Sequence, residues 1–316
     1  MPGEFELIRR HFASARCAQP GDGLALGIGD DCALLALPAG EQLVVSTDTL
    51  VAGRHFPDPC DPFLLGQRAL AVSVSDLAAM GAEPVAFTLA ISLPEADSCW
   101  LDGFVRGLEQ MARRCAIRLA GGDTTRGPLT LTLTVLGRVP SGQALTRSGA
   151  RPGELLCVGG PLGLAAGALP LVLGQQQVAA HLARPLLEQY WTPMPQLDLG
   201  RQLRGRASAV LDVSDGLLAD CGHLARASGV ALWIDRERLP LSPGLLAVAG
   251  RAQAMDCILS GGDDYVLAFT LPETALAGLD APGVRVIGRV TGGHGVHLLD
   301  GQGQEVTPLR RGYVHF

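Results

Sequence analysis

The sequence contains no lysine; all 25 basic residues are arginine. This excludes a P-loop lysine, the strand lysine of protein kinases and any lysine Schiff base. Nucleotide phosphates, if bound, must be neutralised by metal ions, arginine and backbone amides. Charge is scarce, at 18% of residues, and the net charge is −6. There is no basic stripe, which argues against a nucleic-acid surface or an anionic membrane as partner. Long apolar runs are missing too. Each is broken by a charge, Gly or Pro before the roughly 18 residues that a membrane span needs. The stretch 1–10 has two arginines but no apolar run behind it, so it does not read as a signal peptide. The expectation is a cytoplasmic protein. Eight cysteines are scattered with no C-x-x-C pair. Most have apolar neighbours, so reduced buried thiols are expected rather than a zinc site or disulfide framework.

What is present suits an enzyme. The 316 residues are 47% apolar and include 41 glycines. That length suits two domains of roughly 150 residues each. Arg147–Gly153, with Arg, Pro and Gly, reads as the linker, dividing residues 1–146 from 147–316. The expected fold class is α/β. In the first domain the spacing predicts a helix over 4–15, a small strand or turn over 24–29 and a strand over 42–46. A helix starts at Asp61-Pro62 and ends at Gly81, followed by a strand over 85–93 and a helix over 96–115. Strict Leu/Thr alternation over 129–135 predicts a half-buried strand. Together these give an antiparallel or mixed sheet with helices on one face. In the second domain a strand over 154–158 runs into glycines and a helix, without the spacing of a dinucleotide fingerprint. Further strands are predicted over 209–211, 230–234, 265–270 and 284–290, with a helix over 217–227.

Five short motifs share one design: an aspartate at or near the end of an apolar element. They are Gly27-Ile28-Gly29-Asp30-Asp31, Ser46-Thr47-Asp48-Thr49, Ser75-Asp76, Gly121-Gly122-Asp123-Thr124-Thr125 and Asp212-Val213-Ser214-Asp215-Gly216. Asp76 stands out because it takes an inward position on an apolar helix face. A buried carboxylate requires a cation or several donors, the simpler reading being a cap or a link to Arg. Several aspartates can converge only around cations, and all-oxygen ligands favour Mg²⁺ over Zn²⁺. Separate turn and cap aspartates are the alternative. Thr124, Thr125, Thr146 and Arg147 add hydroxyls and a guanidinium suited to phosphate. Ser260-Gly261-Gly262-Asp263-Asp264-Tyr265 is a sixth such element. His55 is a candidate substrate contact on a loop, while His294 and His297 flank a Gly in a predicted hairpin turn and are discounted as metal ligands.

In this order, with Leu145-Thr146-Arg147-Ser148-Gly149-Ala150 and the closing Gly312-Tyr313-Val314-His315-Phe316, the motifs resemble the signature of bacterial thiamine-monophosphate kinases. The resemblance runs from about residue 4 to 316. It implies ATP and thiamine monophosphate as substrates, and thiamine diphosphate and ADP as products. It implies the two-domain fold of aminoimidazole ribonucleotide synthetase, with the N-terminal sheets of two subunits closing a barrel across a homodimer. It also implies several Mg²⁺ ions held by Asp31, Ser46, Thr47, Asp48, Asp76, Asp123, Asp212 and Asp215. By the same resemblance Gly122, Asp123, Arg147 and Ser214 contact ATP, and His55, Asp263 and Tyr313 contact the thiamine substrate. One position departs: the family has Glu-Asp after the paired glycines, and Asp263 is one methylene shorter, with Asp264 beside it to share the task. No catalytic base is expected, because a phosphate nucleophile with a second pKa near 6 is largely ionised at pH 7. Two related enzymes fit less well. A selenophosphate synthetase would carry a reactive Cys and a Lys near the N-terminus, and the hydrogenase-maturation relative a C-terminal Cys. From another class, a catalytically silent nucleotide-binding regulator remains open.

Overall fold

The alternating Leu and Thr residues lie within a strand spanning Thr130–Pro140, with every second side chain buried. It belongs to the first of two units of the computed structural model, which describes residues 4–21, 23–28 and 32–307. The first unit takes in Met1–Leu77 and Ala82–Gly142; the second takes in Ala78–Gly81 and Gln143–Phe316.

The first unit begins with α1 (Glu4–Leu7), continued by a π-helical turn over Ile8–Ala13, then β1 (Leu24–Leu26) and β2 (Leu34–Leu35). It goes on with β3 (Glu41–Val51), α2 (Pro62–Ala79), β4 (Glu83–Leu93), α3 (Ser98–Cys115), β5 (Arg118–Arg126) and β6 (Thr130–Pro140). The main sheet is mixed, in the order β3-β6-β4-β5, with β4 and β5 parallel. Asp61 accepts the Phe63 amide at 2.8 Å and starts α2, as its sequence predicts. Nearly every residue of α2 is buried, the mark of an interior helix. Gly107 of α3 lets the two helix backbones touch: a Cβ there would fall 2.0 Å from the Phe63 carbonyl. Helix α3 starts at Ser98 rather than Ala96 because Asp97 caps it, accepting from the Cys99 and Trp100 amides.

One strand differs from its expectation in a way that matters for the site. β3 does not stop at Ser46. All eleven of its residues pair with β6, so Thr47, Asp48 and Thr49 lie inside the strand. The β-branched residues Val44, Val45, Thr47, Thr49 and Val51 favour that continuation. Gly121 to Thr125 likewise sit within β5.

The second unit contains β7 (Leu155–Val158), α4 (Leu164–Val172), α5 (Ala180–Trp191), α6 (Leu197–Leu203), β8 (Ala209–Asp212) and α7 (Leu217–Ser228). There follow β9 (Ala231–Asp235), α8 (Pro243–Ser260), β10 (Leu267–Leu271), α9 (Glu273–Leu276), β11 (Arg285–Thr291), β12 (Gly295–Leu299) and β13 (Glu305–Val306). Its sheet has the order β13-β12-β9-β11-β7-β10-β8. β7, β8 and β10 are buried throughout, as their unbroken apolar runs require of strands covered on both faces. One core joins the sheet to Leu164, Leu186, Leu217 and Ile258; another includes Leu145, Leu199, Leu203 and Phe269. The expected hairpin around His294 is not formed, because β12 lies parallel to β9 instead of beside β11. His297 stacks on Trp233, ring centroids 4.3 Å apart, and pairs with Glu305. All eight cysteines are free; Cys17, Cys115, Cys157, Cys221 and Cys257 are buried, but Cys32 and Cys99 are exposed and Cys60 is half-buried.

Candidate functional site

In the first unit the alternation of β3 sorts its polar residues by face. Ser46 and Asp48 share the partly buried face with Val44 and Leu50, while Thr47 and Thr49 share the exposed one with Val45 and Val51. Thr47 Oγ1 meets Thr134 Oγ1 at 2.9 Å across that outer face. The strand therefore brings Ser46 and Asp48 together and turns the Thr47 side chain away from them. On the inner side the Ser46 hydroxyl donates to Oδ2 of Asp76. Among the described residues, the partner of Asp76 is therefore this hydroxyl rather than an Arg. Burial, and then the Asp76 charge, push the Asp48 carboxyl from 3.8 up to about 6, opposed by a hydrogen bond from Ser73. Ser73 is fully buried on α2, three residues before Asp76. Sequence reasoning passed over it, although the i, i+3 spacing places it on the same helix face as Asp76.

Asp123 is exposed on β5, opposite Ala90. Gly122 precedes it where backbone meets backbone: a Cβ there would lie 1.8 Å from the Leu89 carbonyl oxygen. Gly121, Gly122, Asp123 and Thr124 form one side of a cavity of about 880 Å³, with Ile8 and Phe12 among its apolar walls. His55 lies in the turn after β3, where its Nδ1 accepts the Val51 amide at 3.0 Å. That bond puts the proton of the neutral ring on Nε2. Asp31 and Tyr313 lie outside the described residues. Among the described residues, no three His, Cys, Asp or Glu side chains gather closely enough to hold a metal ion.

In the second unit two motifs interlock. Asp212 ends β8 and is buried; Ser214 and Asp215 follow, half-buried, in the turn into α7. Against this turn packs the Ser260–Tyr265 loop. The Asp263 amide donates to the Ser214 carbonyl and the Tyr265 amide to the Val213 carbonyl, both at 2.8 Å. Gly216, at φ +114, has no room for a side chain: a Cβ would meet the Ser260 backbone at 2.9 Å. Asp263 and Tyr265 both adopt positive φ, +68 and +50, and the Tyr265 hydroxyl donates to Asp263 Oδ1 at 3.0 Å. The Asp263 carboxylate is thereby held within its own loop.

Asp264 does not share that task. It is fully buried, and its Oδ2 accepts the Gly163 amide at 2.6 Å, at the start of α4. Burial drives its carboxyl well above the usual range, against the opposing amides of Gly163, Ala165 and Leu164. Asp220, which sequence reasoning missed, is the counterpart on α7. Its Oδ2 accepts the amides of Ser214, Asp215 and Gly216 at 3.1, 3.0 and 3.1 Å. Burial raises Asp220 to about 6, although these amides pull the other way. The signal was available, since Asp220 is an acid on the apolar face formed by Leu217, Cys221 and Leu224. Arg147 is exposed, and its segment is fixed by the Val210 amide donating to the Thr146 carbonyl at 2.8 Å.

The N-terminal domain of AIR synthase related proteins matches residues 29–139, and their C-terminal domain matches 151–301. A thiamine-monophosphate kinase of Escherichia coli (strain K12) is 44% identical over 99% of this chain and 98% of its own length. One from Haemophilus influenzae is 39% identical over 85% and 82%. The solved thiamine-monophosphate kinase of Stenotrophomonas maltophilia K279a covers 90% of this chain and 93% of its own, at 46% identity and a TM-score of 0.83. AaThiL complexed with AMPPCP and TMP covers 92% of both chains, at 30% identity and a TM-score of 0.80.

Proposed function

Because this chain belongs to the thiamine-monophosphate kinases, within the AIR synthase related proteins, we propose that it transfers the γ-phosphate of ATP to thiamine monophosphate, giving thiamine diphosphate and ADP. The observation that carries this reading is the Asp48–Asp76 pair, two carboxylates with the Ser46 and Ser73 hydroxyls beside them. Such a pair is costly until a cation lies against it. The donors are all oxygen, which fits Mg²⁺. In the first unit Asp31, Ser46, Asp48, Asp76 and Asp123 would hold the ions, whereas the Thr47 side chain lies on the opposite face of the strand. In the second unit Asp212 and Asp215 would do so. Bound Mg²⁺ supplies positive charge against the phosphate oxygens and helps align donor and acceptor.

The remaining work falls to the chain itself. Gly122 and Asp123 line the 880 Å³ cavity, which is the candidate nucleotide pocket of the first unit, its apolar walls suited to a base. In the second unit Ser214 and Arg147 contact ATP, the guanidinium as a fixed positive charge on phosphate. His55, Asp263 and Tyr313 hold the thiamine substrate. The Asp263 side chain is short, and the Tyr265 hydroxyl fixes its direction. The acceptor phosphate is largely ionised at neutral pH, so no side chain has to remove a proton.

β3 is an edge strand of eleven residues whose outer face exposes Leu43, Val45 and Val51. We therefore infer a homodimer in which two such sheets close into a barrel, an arrangement that covers both the open edge and the apolar face. Val45→Arg is expected to shift the chain to monomer in size-exclusion chromatography. The free thiols fit a cytoplasmic location; no described helix is long and apolar enough to cross a membrane. The deciding test is ADP release with and without thiamine monophosphate, at varied Mg²⁺. Substrate-dependent, EDTA-sensitive release is expected. ADP release indifferent to thiamine monophosphate would leave the silent nucleotide-binding regulator standing instead.

A further inference from the structure

Three consecutive amides, those of Ser214, Asp215 and Gly216, converge at the start of α7, and one side chain takes all of them. Oδ2 of Asp220 accepts the three N–H groups at 3.1, 3.0 and 3.1 Å. Converging amides at a helix N-terminus ordinarily make a site for phosphate or a ligand carboxylate. Here the chain fills the position with its own buried carboxylate. The carbonyl side of the same loop is occupied as well. Val213 and Ser214 accept the amides of Tyr265 and Asp263, each at 2.8 Å. With its amides turned to Asp220 and these carbonyls to the second loop, much of the segment's backbone is committed, and Ser214 and Asp215 offer their side chains to a ligand. Gly216 closes the arrangement, since a Cβ there would strike Ser260.

We propose that Asp220 is a positioning residue for phosphoryl transfer. By occupying the amide nest it converts the Asp212–Gly216 loop from one that would accept an anion into one that holds cations, and it fixes Asp215 and Ser214 for that purpose. The proposal rests on the kinase reading above and extends it to a residue that reaches the reaction only through others. Its electrostatic logic is direct. An open nest at the start of α7 would attract a phosphate oxygen to the backbone. That phosphate would then compete with the metal-bound arrangement in which Asp215 faces a cation. A fixed internal anion removes the competitor. Asp264 fills the start of α4 in the same way, through the Gly163 amide, so both glycine-bearing turns beside the candidate residues carry an internal carboxylate.

The experiment compares full-length wild type, Asp220→Asn and Asp220→Ala. It measures kcat, KM for ATP, the Mg²⁺ concentration for half-maximal rate, inhibition by inorganic phosphate and the thermal midpoint. Asp220→Asn keeps the size of the side chain but loses its charge. We expect its midpoint to stay within a few degrees of wild type. Its kcat/KM should fall by about 10- to 100-fold with a raised Mg²⁺ requirement, the range usual for groups that orient metal ligands. Asp220→Ala opens the nest, and we expect inorganic phosphate to inhibit it at concentrations that leave wild type unaffected. If the alanine variant does not fold, the kcat and Mg²⁺ readouts of Asp220→Asn, whose amide oxygen still fills the nest, carry the test. Unchanged kcat and Mg²⁺ dependence in Asp220→Asn overturns the proposal. So does a loss of activity that tracks the thermal midpoint while the Mg²⁺ requirement stays fixed. Should wild type release no ADP in response to thiamine monophosphate, the kinase reading fails, and calorimetric binding of MgATP then decides the role of Asp220. Wild-type affinity in Asp220→Asn would overturn it there as well.

Discussion

Replacing Asp48 by Asn should stabilise the metal-free protein and abolish its turnover. Burial and the Asp76 charge hold the Asp48 carboxyl at about 6 in the folded chain, against an ordinary value of 3.8. The folded state therefore holds this proton more tightly than the unfolded state does. Stability from this group is fully present below pH 3.8, is lost as pH rises toward 6, and stays lost above that. The full gap corresponds to about 3 kcal/mol at pH 7. Asp48 is partly exposed, and solvent screening reduces the figure to about 1–2 kcal/mol. Asn cannot ionise, and its amide can donate to Asp76. The variant should therefore melt a few degrees higher than wild type at pH 7–8 in EDTA, since about 1 kcal/mol moves a domain of this size by roughly 2–5 °C. The difference should shrink toward zero as pH falls to 4. Millimolar Mg²⁺ should stabilise wild type and not the variant, closing the gap from the other side. Scanning calorimetry across this pH range checks the stability argument, and ADP release checks the function. A variant less stable than wild type at pH 7, or a difference that widens on acidification, would refute the account of the pair. Normal turnover at limiting Mg²⁺ would refute its catalytic role.

Further outcomes follow from the same geometry. Asp264→Asn retains an acceptor for the Gly163 amide and cannot ionise in a site where burial disfavours the charged form, so urea denaturation at pH 7 should show equal or greater stability, whereas Asp264→Leu should lose about 1–3 kcal/mol by leaving that amide unpaired. Gly122→Ala cannot be accommodated beside the Leu89 carbonyl, and hydrogen exchange should show the β4–β5 pairing opened. A thiol-labelling time course on the native protein should modify the exposed Cys32 and Cys99 first, because burial pushes Cys115 and Cys157 up to about 12 and Cys60 to about 11. Early labelling of Cys157 would count against the packed β7.

Period and punctuation in the sequence carried most of the fold. Asp61-Pro62 and Gly81 bracket α2, and the Leu/Thr alternation marks β6, because burial of one face imposes those spacings. What period could not give was the partner of each residue. The end of β3 is not legible locally, because Thr47, Asp48 and Thr49 resemble turn residues until all eleven positions find a register on β6. For the same reason the motif Ser46-Thr47-Asp48 reads as one ligand set but folds as two faces of a strand. Asp263 and Asp264 are adjacent and alike in sequence. Their separation, one toward the loop and one into the core, depends on Gly163, a hundred residues away. Long-range contacts of this kind leave no local trace.

The missing lysine and the two internal carboxylates bear on one question, namely what may touch a phosphate. A glycine-rich turn at a helix start offers amides and a positive dipole end, which is how many nucleotide-binding proteins manage the charge. Here Gly163 opens α4 and Gly216 opens α7, and each start is taken by Asp264 or Asp220. With those amides committed and no lysine in the chain, neutralisation of phosphate falls to arginine and to cations. The excess of aspartate in the motifs then follows as a requirement. Each backbone site denied to phosphate raises the need for bound metal, and each bound metal needs carboxylates. Introducing lysine at one of these positions, for example Asp123→Lys, is accordingly expected not to rescue a metal-depleted enzyme. One ammonium placed where an exposed carboxylate stood supplies a single charge and no alignment of two phosphates. ADP release by Asp123→Lys in EDTA measures this, and activity restored there would show that charge alone, rather than its placement, is what the aspartates provide.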